Sequence, residues 1–298
     1  MQHHHSKAPN AAHSNPTGVG RIRKQEVQAG VTLIELLVGI AVGLLVVAVA
    51  MGALMTSRGI SGTVSEATSL QQQAAYAFRV IGQQIRQGGS LELGLNPAIV
   101  LTPASDTNPA MVPVAFDPPD PTGVRPPFNR ASSTLSAEIS PPSLTVGYQN
   151  YTETTTAGAT PVSLLRDCLG QNKVTAGVPD NPVVASTFKR SSDSSKNELV
   201  CIGTGGIGGE QALIGNVTDM QIRYIEQIVG NSTMQYASIP SAANTVYAVE
   251  VCLELTGTES VPTATEQYTD CSGKLKNYDN KLRMVFRNVY QIRSQGQV

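Results

Sequence analysis

Val31–Met55 reads VTLIELLVGIAVGLLVVAVAMGALM, 25 residues with a single charge, Glu35, at the fifth position. At ~1.5 Å of rise per residue such a helix would be ~37 Å long, enough to cross a hydrocarbon layer of ~30 Å with some tilt. A carboxylate near one end of an apolar span costs on the order of a few kcal/mol even on lenient scales, so it calls for a partner. Gly39-Ile-Ala-Val-Gly43 is a GxxxG, but the pattern is common in apolar helices and specifies no packing by itself. With Gly52, these glycines lower local helix propensity and allow bending.

The residues before the stretch say how it is handled. Arg21, Arg23 and Lys24 supply positive charge, and Ala29-Gly30 sets small residues directly against the apolar run. A secretory signal peptide would carry its small-residue cleavage site after the apolar segment. A cut after Gly30 instead leaves the hydrophobic helix on the mature chain. Gly30-Val31-Thr32-Leu33-Ile34-Glu35 resembles the type III signal of prepilins, with Gly closing the leader and Glu five residues into the mature protein. The resemblance implies a membrane-embedded prepilin peptidase that cuts between Gly30 and Val31 and N-methylates Val31. It also implies that Glu35 neutralises the N-terminal ammonium of a neighbouring subunit and so sets axial register. Val31 departs from the Phe usual in major pilins. An ordinary signal anchor, with Glu35 reaching toward headgroups, is the plain alternative.

Composition agrees with an exported chain. Gly (27) and Pro (18) are abundant, charged residues make up 14%, and there is no Trp, which suits loop-rich β structure better than a helical bundle. The formal charge of −1 is unevenly spread. Lys7, Arg21, Arg23 and Lys24 stand against Glu26 in the leader, which leaves the remainder acidic. No basic footprint for nucleic acid lies beyond residue 30. The basic leader predicts a cytoplasmic N-terminus and an external C-terminal bulk. His3, His4, His5 and His13 all precede Gly30, so the mature chain has no histidine for a triad or a His-ligated metal. The His3–His5 run reads as part of a polar start or a tag remnant.

Cys168, Cys201, Cys252 and Cys271 all lie in the exported part. An even count in an oxidising compartment reads as two disulfides. Sequence order favours Cys168–Cys201 and Cys252–Cys271 among three formal connectivities. A four-cysteine zinc site is the alternative, without CxxC spacing to support it.

The apolar periodicity continues past Arg58. Ile60, Val64, Ala67, Leu70, Ala74, Ala77, Phe78, Ile81 and Ile85 recur at helical spacing, and Gly88-Gly89 ends the pattern. Residues 90–140 are rich in Pro, Ser, Thr and Asn, with short strands expected near Ala98–Leu101 and Met111–Phe116. Leu144, Val146 and Tyr148 alternate with polar residues, as do Met220, Ile222 and Tyr224. Pro182–Phe188 and Glu198–Ile202 flank a Ser-rich turn and read as a hairpin. Val249, Val251, Leu253 and Leu255 share one face of a strand, and so do Leu282, Met284, Phe286, Tyr290 and Ile292. The expected architecture is α+β: one long N-terminal helix laid on an antiparallel sheet. Its parts are a cleaved leader (1–30), a transmembrane helical part (31–57), an amphipathic helical part (58–88) and a β-rich domain (89–298).

Ala75-Tyr-Ala-Phe-Arg-Val-Ile-Gly-Gln-Gln-Ile-Arg86 is similar to the helix of PilW-family minor pilins. Ser143–Val146, Asp167–Gly170, Asn197–Cys201 and Leu213–Tyr224 extend that similarity across the mature chain, and the proline-rich 100–130 region matches it least. The resemblance implies a structural protein of a type IV pilus, not an enzyme, and no cofactor. Its implied partners are the prepilin peptidase, other minor pilins, the major pilin and the inner membrane. The chain would be single-pass, with a periplasmic C-terminal domain, before entering a pilus-initiating complex or the filament tip. A minor pseudopilin of type II secretion shares the same signal and helix, and the loops at 103–130 and 150–180 offer surface to a tip adhesin.

Other motifs carry less. Gly203-Thr-Gly205-Gly-Ile-Gly208 fits GxGxxG but lacks the following helix and βαβ unit that would hold a pyrophosphate, so an inter-strand loop is expected. Asn150-Tyr-Thr, Asn216-Val-Thr and Asn231-Ser-Thr are sequons by pattern alone. No carboxylate pair stands out as general acid and base.

Overall fold

The computed structural model describes residues 30–91, 93–94, 115–116, 128–150, 152–153, 162–163, 165–171, 183–193, 195–204, 209–241, 244–261 and 266–292. The elements run α1 Leu33–Gln87, β1 Leu93–Gly94, β2 Ala115–Phe116, α2 Arg130–Ser133, β3 Leu135–Ile139, β4 Pro142–Gln149, β5 Thr152–Glu153 and β6 Val162–Ser163. They continue β7 Val183–Arg190, β8 Leu199–Gly203, β9 Gln211–Ile214, β10 Val217–Gln227, β11 Met234–Ala237, β12 Thr245–Ser260, β13 Gln267–Thr269, β14 Leu275–Asn277 and β15 Lys281–Gln291. Of the strands expected before residue 128, Ala98–Leu101 lies outside the described residues, and Met111–Phe116 is described only as β2. The chain divides into two compact units, Met1–Thr56 and Ser57–Val298, and the boundary falls within α1.

In the second unit, α1 buries Leu70, Ala74, Ala77, Ile81 and Ile85, all at 1% exposure or less. Their spacing places them on one helical face. The buried stripe starts later than the periodicity suggests, because Val64 is 60% exposed. Glu66 ties the helix to the sheet: its Oε1 accepts from Thr258 N–H and, at 2.9 Å, from Glu259 N–H. The helix stops at Gly88-Gly89: Gly89 takes φ +70°, and the Gly88 and Ser90 amides close on Gln84 and Gln87 carbonyls. A left-handed residue just past the last turn is the usual way to satisfy terminal carbonyls, and glycine adopts it without Cβ strain.

Two antiparallel sheets cover this helix, where the sequence led us to expect one. The first has strand order β3-β4-β7-β8-β9 and the second β11-β10-β12-β15. The chain passes from one to the other between Ile214 and Val217, and Asn216 turns the corner at φ 63°. Asn197 O accepts from Val217 N–H and Asn216 O accepts from Thr256 N–H, so the corner is fixed by hydrogen bonds on both sides. The expected hairpin across the Ser-rich turn is β7–β8, with Phe188 opposite Cys201. One hydrophobic core joins the helix stripe to Leu144, Val146 and Phe188 of the first sheet and to Met220, Tyr224, Val251 and Leu253 of the second.

Two buried polar side chains, Gln84 and Glu226, are held by several partners each. Gln84 of α1 is 3% exposed, and its Oε1 accepts from Tyr148 Oη at 3.1 Å and Ser186 Oγ at 2.9 Å. This ties the helix to β4 and β7 inside the core. Glu226 is 2% exposed, and its carboxylate accepts from Gln235 Nε2 (2.8 Å), Asn244 Nδ2 (2.9 Å) and Ser241 N–H (3.0 Å).

Three carboxylates make stability depend on acid. Burial pushes Glu226 up, but the Ser241 amide and the Asn244 and Gln235 side chains outweigh it and hold the group below its ordinary value. Glu210 is pulled down to about 2 by hydrogen bonds from Lys189 and then Ser192. Asp270 lies well below the carboxylate range, chiefly through the Ser272 hydroxyl, with Lys274 and Lys276 assisting. A depressed folded-state pKa contributes stability above the unfolded value and loses it as pH falls through the folded one. The urea midpoint should therefore stay level from about pH 7 to about pH 5 and drop below about pH 4, the unfolded carboxylate range. A midpoint that rises on acidification would contradict these assignments.

Candidate membrane anchor and disulfide turns

The first unit carries the residues singled out from the sequence. Every described residue from Gly30 to Gly59 is exposed, including Leu33 at 77%, Leu44 and Leu45 at 65%, and Met55 at 75%. The helix has the length and composition of a membrane span, and its most apolar stretch is not buried. Between Glu35 and Arg58 no charged residue interrupts it. That uncharged stretch would rise ~33 Å, close to the ~30 Å of a bilayer core. Apolar side chains in this number find stable surroundings in lipid or against other apolar helices. Thr56 Oγ1, at the far end, donates to Gly52 O at 3.0 Å, so its hydroxyl does not compete for another partner there.

At the start of the helix, Thr32 and Glu35 bond reciprocally. Thr32 Oγ1 accepts from Glu35 N–H at 3.4 Å, while Glu35 Oε2 accepts from Thr32 N–H at 3.3 Å and from Thr32 Oγ1 at 3.2 Å. This is a capping box: two orphan donors of the first turn are satisfied by side chains. Glu35 thus has a partner within its own chain, which sequence reasoning missed although T-x-x-E was in plain view. Immediately before it, Gly30 has open space around its Cα and Val31 is 72% exposed. The three positions lie at an accessible N-terminal boundary of the apolar helix.

The cysteines form the two bonds that sequence order favours, Cys168–Cys201 with Cα atoms 6.4 Å apart and Cys252–Cys271 with Cα atoms 5.7 Å apart. On the chain-entropy model each closed loop is worth ~3 kcal/mol. Each bond fastens one Asp-Cys-x-Gly-x turn to a strand near the middle of a sheet. In Asp167-Cys-Leu-Gly-Gln171 the Asp Oδ1 accepts from Leu169 and Gln171 N–H, and in Asp270-Cys-Ser-Gly-Lys274 it accepts from Ser272 and Lys274 N–H. Gly170 and Gly273 take φ +73° and +85° at equivalent places. The same staple therefore serves both sheets, and the repeat D-C-x-G was readable from the sequence.

Among the described residues no group of three or more His, Cys, Asp or Glu is placed to hold a metal. The residues 205–208 that complete the GxGxxG pattern lie outside the described ones, as do His3, His4, His5 and His13. Burial pushes the Tyr148 and Tyr224 phenols above their ordinary range, with the Asp167 charge adding to the effect at Tyr148. Both sit in the core as structural groups.

No family model matches the chain, and no curated protein matches it. Among solved structures it is similar to a type IV-like pilin from Thermus thermophilus, at 10% identity and a TM-score of 0.35, over 75% of this chain and 95% of that one.

Proposed function

We propose that this protein is a minor pilin of a type IV pilus. It is made with a leader, cut by prepilin peptidase after Gly30, and N-methylated at Val31. The helix from Val31 to Ser57 holds it in the inner membrane with the β-rich unit in the periplasm. From there it joins other minor pilins and the major pilin in the complex that starts a filament, and it takes a place at the tip. The observation that carries this reading is the wholly exposed apolar helix, opened by Gly30 and by the Thr32–Glu35 box. A helix buried in its own fold would need no membrane and no neighbour. One that is exposed for ~25 residues and then packs on a sheet has both an anchor and a folded head.

Gly30→Phe tests the reading. Peptidase sites of the type resembled here accept a small residue before the cut, and the open space around Gly30 is what a protease must reach. In cells with an active prepilin peptidase, the variant should accumulate in the membrane fraction as the full-length precursor. Recovery with other minor pilins should fall to background. Normal processing of Gly30→Phe would count against the assignment.

A further inference from the structure

A cleft of about 560 Å³ opens at one end of the second sheet, where β10 turns toward β11 and β12 begins. That volume lies within the ~300–1,000 Å³ typical of small-molecule sites. Its place follows from the strand pairing. Gln227, the last residue of β10, stands opposite Met234 of β11 and Thr245 of β12, while Glu66 of the helix meets Thr258 toward the other end of β12. The cleft is therefore at the end of this unit away from Ser57.

Its aromatic surface is set by a bulge. Ile225 pairs with Ala248 but Glu226 pairs with Val246, so Tyr247 is an extra residue in β12. A bulge re-aims the side chain it carries, and bulges concentrate beside functional sites. The Tyr247 side chain is 37% exposed, its Oη donates to Gln227 Oε1 at 2.8 Å, and its carbonyl accepts from Ile292 N–H at 2.8 Å. Both ends of the residue are tied, so the ring loses little freedom when a ligand packs on it.

The rest of the lining comes mostly from the turn between β10 and β11. Asn231 N–H donates to Ile228 O at 3.0 Å, with Gly230 at φ +78° between them. Asn231 Oδ1 accepts from Thr233 N–H at 3.1 Å and from Thr233 Oγ1 at 2.9 Å. The side-chain oxygens of Gln227 and Asn231 are thus both occupied. Their NH2 groups, and the hydroxyls of Ser232 and Thr245, are engaged by no other described residue.

These groups restrict what the cleft can hold. None of the residues lining it is charged, so an ion would lose hydration there without gaining a counter-charge. A purely apolar molecule would strip water from the amide and hydroxyl groups and replace none of its hydrogen bonds. A peptide would bring N–H groups that need acceptors, and both side-chain amide oxygens are taken. A neutral sugar has hydroxyl and ring oxygens that accept from the amides, and C–H faces that pack on an aromatic ring.

We propose that this cleft binds a neutral saccharide, stacked on Tyr247 and hydrogen-bonded to Gln227, Asn231 and Thr245. The site lies wholly within the second unit, so its test stands apart from that of cleavage after Gly30.

The test is saturation-transfer NMR on the full chain, extracted in a non-glycosidic detergent so that no detergent sugar competes. The probes are cellobiose, lactose, mannobiose and chitobiose, with digalacturonate and triglycine as comparators. At least one neutral disaccharide should bind with a Kd of about 1 mM or below. Tyr247→Ala should weaken it by about tenfold or more, through loss of the stacking face. Thr245→Val keeps the branched shape of a strand residue and removes the hydroxyl, so binding should fall about fivefold at an unchanged melting midpoint. That midpoint separates lost contact from misfolding. Failure of all four disaccharides to bind would overturn the proposal. So would affinity insensitive to both substitutions, or digalacturonate or triglycine binding as tightly as the best neutral sugar.

Discussion

Glu35→Gln is expected to leave membrane insertion and leader removal intact and to abolish assembly. The capping box makes this substitution sharper than it would be on sequence grounds alone. Gln at the third helical position still accepts from the Thr32 amide and hydroxyl, so the first turn keeps its caps and only the charge is lost. Losing one member of a charge pair in a low-dielectric setting costs about 3 kcal/mol or more, which is over a hundredfold in association. Recovery of other minor pilins with the variant should therefore collapse, and surface filaments with it. Thr32→Ala is the matching control. It removes the cap, worth about 1 kcal/mol, and leaves the carboxylate, so assembly should be only mildly reduced. If Glu35→Gln assembles like the parent while Thr32→Ala fails, Glu35 acts through its own helix and the intersubunit pairing is wrong.

The second large effect belongs to packing in the folded head. A Cβ at Gly82 would overlap the Tyr290 ring, with Cδ1 at 3.0 Å and Arg86 Nη2 at 3.2 Å. That ring cannot withdraw freely, because Tyr290 Oη donates to Phe78 O at 2.7 Å and the side chain is 8% exposed. In an open helix Gly→Ala would stabilise by about 1 kcal/mol. Here overpacking of about 1–3 kcal/mol outweighs that gain for Ala, and Val adds branched bulk at the same contact. Urea unfolding should show Gly82→Ala destabilised and Gly82→Val more so, by about 3 kcal/mol. In a Tyr290→Leu background the Ala penalty should shrink, because contacting residues are not additive. A Gly82→Ala protein more stable than the parent would show that the helix does not approach β15 this closely.

What could be read beforehand follows from the range of the interactions. The helix was legible because its periodicity is local: Leu70, Ala74, Ala77, Ile81 and Ile85 are the buried face, and Gly88-Gly89 is the stop. The disulfides followed sequence order because each joins a turn to a strand 33 or 19 residues away in chain order. The split into two sheets was not legible. It depends on a two-residue corner at Gly215-Asn216 and on pairings such as β12 with β15, which no local pattern encodes. The start of helix burial was misjudged for a related reason, since Val64 has a core-like spacing yet stays 60% exposed. β11 was passed over because its side chains are exposed on both faces, so Met234–Ala237 lacks the alternation that marks a half-buried strand. At the candidate anchor, Gly30 and Glu35 stood out as a glycine and a charge against an apolar run, whereas the role of Thr32 needed the helix start to be seen.

Cleavage after Gly30 is the claim on which the methylated amine and the Glu35 pairing both depend. Intact-mass and N-terminal fragment analysis of the protein extracted from its own membranes measures it directly. The predicted result is a chain that begins at N-methylated Val31 and keeps the whole apolar helix. A chain that still begins at Met1, or one cut beyond Met55, would contradict it.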